Sequence, residues 1–125
     1  MPYINVKTNV KKSDELREKI VDIILENTTN ILNKKPEVTS VLVEFVPFDT
    51  WNINKDNLST FNVDIKITKG TNTKNQKAQY IKETYLNLKE ILGDITPASY
   101  IIIDEIEGDS WGFEGLTQEY RYIKD

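Results

Sequence analysis

Pro2, which directly follows Met1, is the residue of this chain with the least ordinary chemistry. If Met1 is removed, the nitrogen of Pro2 becomes a secondary amine at the start of the chain. Free α-amino groups titrate near pH 8, about the upper edge of the neutral range, and a secondary amine is more basic still. Burial lowers the pKa of an amine because it disfavours the charged form. We therefore expect Pro2 to be a general base that works near neutral pH.

Other acid–base and nucleophilic groups are scarce in this sequence. The chain contains no cysteine and no histidine, which removes disulfides, thiolate nucleophiles and the imidazole that most often binds metals or moves protons. We expect chemistry that needs neither a metal nor a cofactor.

Size and composition indicate one globular domain over residues 1–125, with 38% hydrophobic and 29% charged residues. The net charge of −4 without a basic patch argues against nucleic-acid binding. No apolar stretch approaches the roughly 18 residues of a membrane span, and the beginning lacks the basic head and apolar run of a signal peptide. We expect a cytoplasmic protein that does not bind membranes.

The sequence repeats itself at an offset of about 60 residues, placing Trp51 on Trp111 and Val41 on Ile101. The first strands align better at 59, where Pro2 falls on Phe61. We interpret this as two β-α-β units, over about residues 2–58 and 59–125. The predicted strands are 3–8, 40–46, 61–68 and 99–106, and the predicted helices are 14–32 and 74–92.

Capping residues and apolar periodicity support both helices. Ser13 is a candidate N-cap for the first helix, and Thr73 with Gln76 forms a candidate capping box for the second. Helical spacing predicts one core face on each helix. These faces comprise Leu16, Ile20, Ile23, Ile24, Ile31 and Leu32, and Ala78, Ile81, Tyr85, Leu88 and Leu92.

Each β-α-β unit should form a parallel strand pair with a right-handed crossover. Two units predict an α/β (α+β) fold with a four-stranded sheet and two helices on one face. Residues 41–43 and 100–103 are apolar at successive positions, which is typical of strands buried on both faces. We expect the uncovered face to pack against another subunit; the alternative is that these runs only reflect β-propensity.

The duplicated pattern resembles the tautomerase superfamily, which includes 4-oxalocrotonate tautomerase, malonate semialdehyde decarboxylase and macrophage migration inhibitory factor. The resemblance rests on the opening residues 1–6, the helix start 11–15, the strand 38–46 leading to Trp51, and residues 109–115 at the end of the second unit. It implies a homotrimer of fused β-α-β units, with the amino-terminal proline as catalytic base and sites near subunit interfaces.

The resemblance also implies three substrate-binding residues. Lys12 matches the position of a carboxylate-binding arginine of 4-oxalocrotonate tautomerase. Lys69 falls where malonate semialdehyde decarboxylase and a further member of the superfamily, cis-3-chloroacrylic acid dehalogenase, place arginines. Trp51 matches an aromatic residue that walls the proline site. The alternatives are that the lysines are solvated loop residues and that Trp51 only packs at a strand end. Trp111, its repeat partner, is expected to be structural or at a subunit contact.

The predicted function is keto–enol tautomerisation of a small 2-oxo acid, with Pro2 as the base. A second arginine of 4-oxalocrotonate tautomerase falls on Leu42, so its specific reaction is not expected. Two alternatives stay within the superfamily: a decarboxylase-type enzyme and a non-catalytic trimer. A third alternative, a ferredoxin-like binding module, predicts an antiparallel sheet and a monomer or dimer.

Overall fold

The chain folds into two consecutive β-α-β units followed by a short hairpin and a helix. The structure, a computed structural model, describes residues 1–124, with side chains as far as Arg121. The elements are β1 (Tyr3–Thr8), α1 (Asp14–Asn30), β2 (Ser40–Phe45), β3 (Phe61–Thr68), α2 (Lys74–Leu92), β4 (Tyr100–Ile106), β5 (Gly112–Phe113), β6 (Leu116–Thr117) and α3 (Gln118–Lys124). Short 3₁₀ turns lie at Pro36–Val38, Phe48–Thr50 and Gly108–Ser110.

The element predictions for the two units are confirmed to within two residues at each end. The side chain of Ser13 accepts a hydrogen bond from the backbone of Leu16, and Thr73 with Gln76 forms both bonds of a capping box. The hairpin β5–β6 and α3 were not predicted. In the hairpin turn Glu114 and Gly115 both have positive φ, as the common two-residue hairpin turn requires.

The four long strands form one mixed sheet in the order β2-β1-β3-β4. Within each unit the strands are parallel, β1 with β2 and β3 with β4. The two units meet through β1 and β3, which run antiparallel, so that Tyr3 lies opposite Lys66 and Thr8 lies opposite Phe61. The beginning of β1 therefore lies beside the end of β3, and the beginning of β3 lies beside the end of β1. The parallel pairs rule out the fully antiparallel sheet of the ferredoxin-like alternative.

Both helices cover the same face of the sheet and pack side by side. Asn27 of α1 donates hydrogen bonds to Thr84 and Asn87 of α2, at 3.2 and 3.0 Å. The core between the helices and the sheet contains Ile4, Val6, Ile20, Ile24, Leu32, Phe61, Val63, Ile65, Ile67, Tyr80, Leu88 and Ile95.

The predicted core face of α1 is confirmed, but that of α2 is partly wrong. Ala78 and Ile81 are exposed, and the buried stripe is instead Tyr80, Thr84 and Leu88. The polar atoms of this stripe are satisfied inside the protein. The Tyr80 hydroxyl lies 3.0 Å from that of Thr28, so tyrosine is tolerated where only apolar residues were expected.

The opposite face of the sheet is not covered within one chain. Tyr100, Ile102 and Leu42 are 59%, 51% and 43% exposed on it. No helix among residues 1–124 has both the length and the apolarity needed to cross a membrane.

Candidate functional site

A cavity of about 470 Å³ opens at the amino terminus; we call it the Met1 cavity. It forms because β1 begins beside the end of β3, which brings residues from both units together. Its lining includes Met1, Leu32, Lys34, Thr71, Phe113 and Arg121.

Pro2, which joins the cavity-lining Met1 to the start of β1, is buried. Its carbonyl oxygen accepts a 3.1 Å hydrogen bond from the backbone of Ser40, which holds the end of the chain against β2. Met1, attached to the nitrogen of Pro2, is half-buried and lines the cavity.

The cavity lowers the pKa of amines. Burial lowers the pKa of the Met1 amino group, and the positive charge of Lys34 lowers it further. Burial also lowers the pKa of Lys34 itself. Lys34 Nζ donates a 2.8 Å hydrogen bond to Thr71 Oγ1, which fixes the lysine at the cavity wall.

The charge of the lining is entirely positive among the described residues. It contains Lys34, Lys35 and Arg121, and no aspartate or glutamate. The Arg121 guanidinium lies 4.5 Å from the centroid of the Phe113 ring, a cation–π geometry that positions it over an apolar wall. Such a lining suits a small anion with an apolar part.

Lys12 lies at the other end of the sheet within the same chain. Because a strand advances about 3.3 Å per residue, the six residues of β1 span roughly 17 Å between the end that follows Pro2 and the end that leads to Lys12. Lys12 lines a second cavity of about 610 Å³, which we call the Lys12 cavity. Its lining includes Val10, Lys11, Lys12, Phe45, Phe48 and Ser59.

Lys69 follows β3 and therefore lies at the Pro2 end of the sheet. Its Nζ forms a 2.9 Å ion pair with Glu107, and both side chains are exposed. The hydrogen bond to Glu107 raises the pKa of Lys69. Lys69 is thus on the expected side of the molecule, with its charge already paired.

The two tryptophans lie at opposite ends of the β1–β3 pair. Trp51 contributes to a cavity of about 330 Å³ that also contains Lys7 and Asn62. Trp111 contributes to one of about 340 Å³ beside Tyr3 and Lys66. In one chain it is therefore Trp111, not Trp51, that lies near the start of β1.

Sequence reasoning missed Lys34, Thr71, Phe113 and Arg121 as residues of the amino-terminal cavity. The resemblance predicted partners of Pro2 only in the first unit, at Lys12 and Trp51, and after β3, at Lys69. The parallel pairing of β1 with β2 brings the α1–β2 connection, with Lys34, to the start of β1, and the antiparallel pairing of β1 with β3 brings the second unit's strand–helix connection, with Thr71, to the same place. The available signal was the duplication itself, since two equivalent units often pack about a twofold axis.

No group of three or more acidic residues that could hold a metal ion occurs in the part of the chain that the structure describes.

The fold and its amino-terminal cavity define a duplicated β-α-β protein with a small, cation-lined site where the first strand begins. The profile of a family described as "Tautomerase enzyme" matches residues 62–120. The probable tautomerase K2 of Dickeya dadantii (strain 3937) is 42% identical over 59 residues, which cover 47% of this chain and 88% of that protein. This chain belongs to the tautomerase family.

Solved structures share the fold over almost the whole chain. Pt0534 inactivated by 2-oxo-3-pentynoate superposes with a TM-score of 0.88 at 12% identity, covering 95% of this chain and 98% of that one. The wild-type R7 fused 4-OT, an asymmetric trimer, gives 0.84 at 17% identity, covering 96% and 98%. The macrophage migration inhibitory factor-like protein of Entamoeba histolytica gives 0.79 at 16% identity, covering 93% and 97%. The predicted fold, a tautomerase-like tandem β-α-β repeat, is confirmed.

Proposed function

We propose that the protein is a tautomerase in which Pro2, freed by removal of Met1, is the general base. The observation that carries this proposal is the position of Pro2 at the head of β1, next to a cavity in which burial and Lys34 lower the pKa of the terminal amine. After removal of Met1 the terminal amine would be that of Pro2, at the same end of β1, and we expect burial and Lys34 to lower its pKa in the same direction. A base with a pKa near neutrality accelerates proton transfer by about 10²–10⁴-fold.

The proposed substrate is a small 2-oxo acid. The Pro2 nitrogen takes a proton from the carbon next to the ketone, and the electrons of that C–H bond form a carbon–carbon double bond. The carbonyl π electrons move to oxygen, and the enolate oxygen receives the proton from Pro2 to give the enol. The reverse sequence restores the ketone, so the cycle balances without a cofactor.

Cations around the Met1 cavity support this substrate class. Lys34 is close enough to the amine to change its pKa, and we assign to it the stabilisation of the enolate oxygen or the carboxylate. Arg121 offers a planar fork that suits a carboxylate. Phe113 and Leu32 would contact the apolar part of the substrate.

We also propose a homotrimer in which the uncovered faces of the sheets turn towards one another. The exposed Tyr100, Ile102 and Leu42 support this arrangement, because burial of apolar side chains favours association. Trp51 is proposed to contact substrate beside Pro2 only across a subunit boundary, since it lies far from Pro2 within one chain. Lys12 is proposed to bind a carboxylate at its own end of the sheet rather than beside Pro2. Lys69 lies at the Pro2 end of the sheet in the same chain. It is proposed to bind substrate once its ion pair with Glu107 is broken.

The test compares three forms of the protein in the enolisation of phenylpyruvate, followed by the absorbance of the enol. The first form begins at Pro2, as verified by intact mass; the second carries one extra serine ahead of Pro2; the third is Pro2→Ala. We expect the first to be active, and both others to be at least about 100-fold slower. Equal activity of the extended form would refute the proline base, because its Pro2 nitrogen is an amide.

The non-catalytic alternative is tested by the same material. Intact mass of the native protein that shows Met1 retained, together with no activity in any form, would favour a binding or structural trimer. A form beginning at Pro2 that releases carbon dioxide from a 3-oxo acid, but does not enolise phenylpyruvate, would favour the decarboxylase alternative.

A further inference from the structure

The Lys12 cavity is the counterpart of the Met1 cavity in the second unit. The Met1 cavity contains the residue just before Pro2 and, from the other unit, Thr71. The Lys12 cavity contains Ser59, which comes shortly before Phe61, and, from the other unit, Lys11. Lys11 and Thr71 occupy equivalent positions at the repeat offset of 60 residues. The duplication has thus produced two cavities, one at each end of the β1–β3 pair.

The Lys12 cavity carries positive charge that the protein does not neutralise. Lys11 and Lys12 are exposed, and neither forms an ion pair or side-chain hydrogen bond with any residue that the structure describes. The carboxylates nearest to them in sequence are engaged elsewhere, Asp14 with Arg17 at 3.2 Å and Glu15 with Lys19 at 3.0 Å.

The rest of this cavity is predominantly apolar. Val10 closes one side, and the segment that follows β2 supplies Phe45, Val46, Pro47 and Phe48. Two cations at the edge of an apolar recess of about 610 Å³ complement a ligand with one negative end and one hydrocarbon end.

The cavity lacks a base. Phe61 stands at the repeat position of Pro2 and is completely buried. The backbone nitrogen of Thr60, the residue before Phe61, donates a 2.8 Å hydrogen bond to Asn9 Oδ1. No amine can be exposed here by processing of the amino terminus. A ligand that enters would be held without being deprotonated.

We propose that the Lys12 cavity is a second, non-catalytic binding site for a small carboxylate with an apolar body. Lys11 and Lys12 bind the carboxylate, and Phe45 and Phe48 contact the hydrocarbon part. The site does not depend on Pro2, so it exists whether or not the protein is a tautomerase.

Benzoate is the probe for this site, because it has a carboxylate, an apolar ring and no carbon-bound proton that could be enolised. Titration of ¹⁵N-labelled protein with benzoate should move the backbone amide signals of Val10, Lys12 and Val46 in a saturable manner. Neutral benzamide should move them far less. Added salt should weaken benzoate binding, because both lysines are exposed.

The variant Lys11→Gln/Lys12→Gln should bind benzoate in this cavity at least about tenfold more weakly. Both residues are on the surface, so the remaining spectrum should report an intact fold. Lys34→Gln is the matched control: it alters the Met1 cavity and should leave the response of Val10 and Val46 unchanged.

Three outcomes would overturn the proposal: amide signals of the Lys12 cavity that do not respond to benzoate, equal responses to benzoate and benzamide, or unchanged affinity in the double variant. Inactivity towards phenylpyruvate would leave it untouched, so failure of the proposed function and failure of this site are distinguishable.

Discussion

Lys34 Nζ donates a hydrogen bond to Thr71 Oγ1 at 2.8 Å and so ties the end of the first helical segment to the second unit. Thr71 in turn donates a 2.6 Å hydrogen bond to the carbonyl oxygen of Thr68, the last residue of β3. This chain of contacts holds a partly desolvated ammonium group beside the amino terminus. Its position explains why the charge of Lys34 adds to burial in lowering the pKa of the terminal amine.

Replacing Lys34 by methionine should raise the pKa of the terminal amine. The positive charge of Lys34 disfavours the protonated amine, and its loss removes that penalty while the effect of burial remains. The free-base fraction at neutral pH should fall. In the active form, the rising limb of the kcat/KM profile should move to higher pH.

Lys35→Met is the matched control, since Lys35 lines the same cavity but does not perturb the amine. An NMR titration of the terminal amine measures its pKa directly in both variants. An unchanged pKa in Lys34→Met would contradict the electrostatic role of Lys34.

Tyr80 should titrate well above the ordinary range of a tyrosine. Burial raises the pKa of Tyr80 to about 12, while its hydrogen bonds to Thr28 and Thr84 act in the opposite direction. The folded state therefore favours the neutral phenol relative to an unfolded value of 10. The stability that this contributes is fully present below pH 10 and is lost as pH rises towards about 12.

Tyr80→Phe should remove this part of the alkaline loss of stability, as measured by urea unfolding at several pH values. Thr28 donates to the carbonyl oxygen of Ile24 at 2.7 Å, so the Tyr80 hydroxyl is the donor in their contact. Loss of that bond should cost about 1 kcal/mol at neutral pH. If Tyr80→Phe loses stability above pH 10 in the same way as the parent protein, other ionisable groups cause that loss.

Ile102→Asp should separate the subunits of the proposed trimer. Ile102 is 51% exposed on the uncovered face of the sheet, and a carboxylate there would be buried without a partner in the interface. Light scattering should show a decrease from three times the chain mass to 14.5 kDa.

Ile81→Asp provides the comparison, because Ile81 is 39% exposed on α2, which packs on the other face. This variant should keep the parent's mass. Identical behaviour of the two variants would argue against assembly through the open face of the sheet.

Thr73→Ala should destabilise the second unit by removing the cap of α2. The Thr73 hydroxyl accepts from the Gln76 backbone at 3.1 Å, and the Gln76 side chain accepts from the Thr73 backbone at 2.9 Å. Loss of an N-cap costs about 1 kcal/mol, equivalent to a decrease in Tm of about 4 °C for a domain of this size. Lys74→Ala should change stability by less than about 0.5 kcal/mol, and an equal loss in both variants would contradict a specific role of the cap.

Local features of the sequence were sufficient to predict the elements of both units. Alternating and helical apolar patterns depend on residues a few positions apart, and Ser13 and Thr73 cap their own helices. Which face of α2 is buried was less predictable, because Tyr80 and Thr84 can be buried only where other side chains form hydrogen bonds with their hydroxyl groups. For Tyr80 one of these is Thr28 on the other helix.

The sequence by itself therefore determined the duplicated β-α-β pattern and marked Pro2 as the residue at the head of its first strand. Only the tertiary structure decided which residues surround that position. The parallel pairing of β1 with β2 brings Lys34 to the amino terminus, and the antiparallel pairing of β1 with β3 brings Thr71 there. Lys12, which follows β1, lies at the opposite end. The reason is physical: periodicity records which face of an element is buried, whereas the neighbours of a strand's end depend on pairing between residues far apart in the sequence.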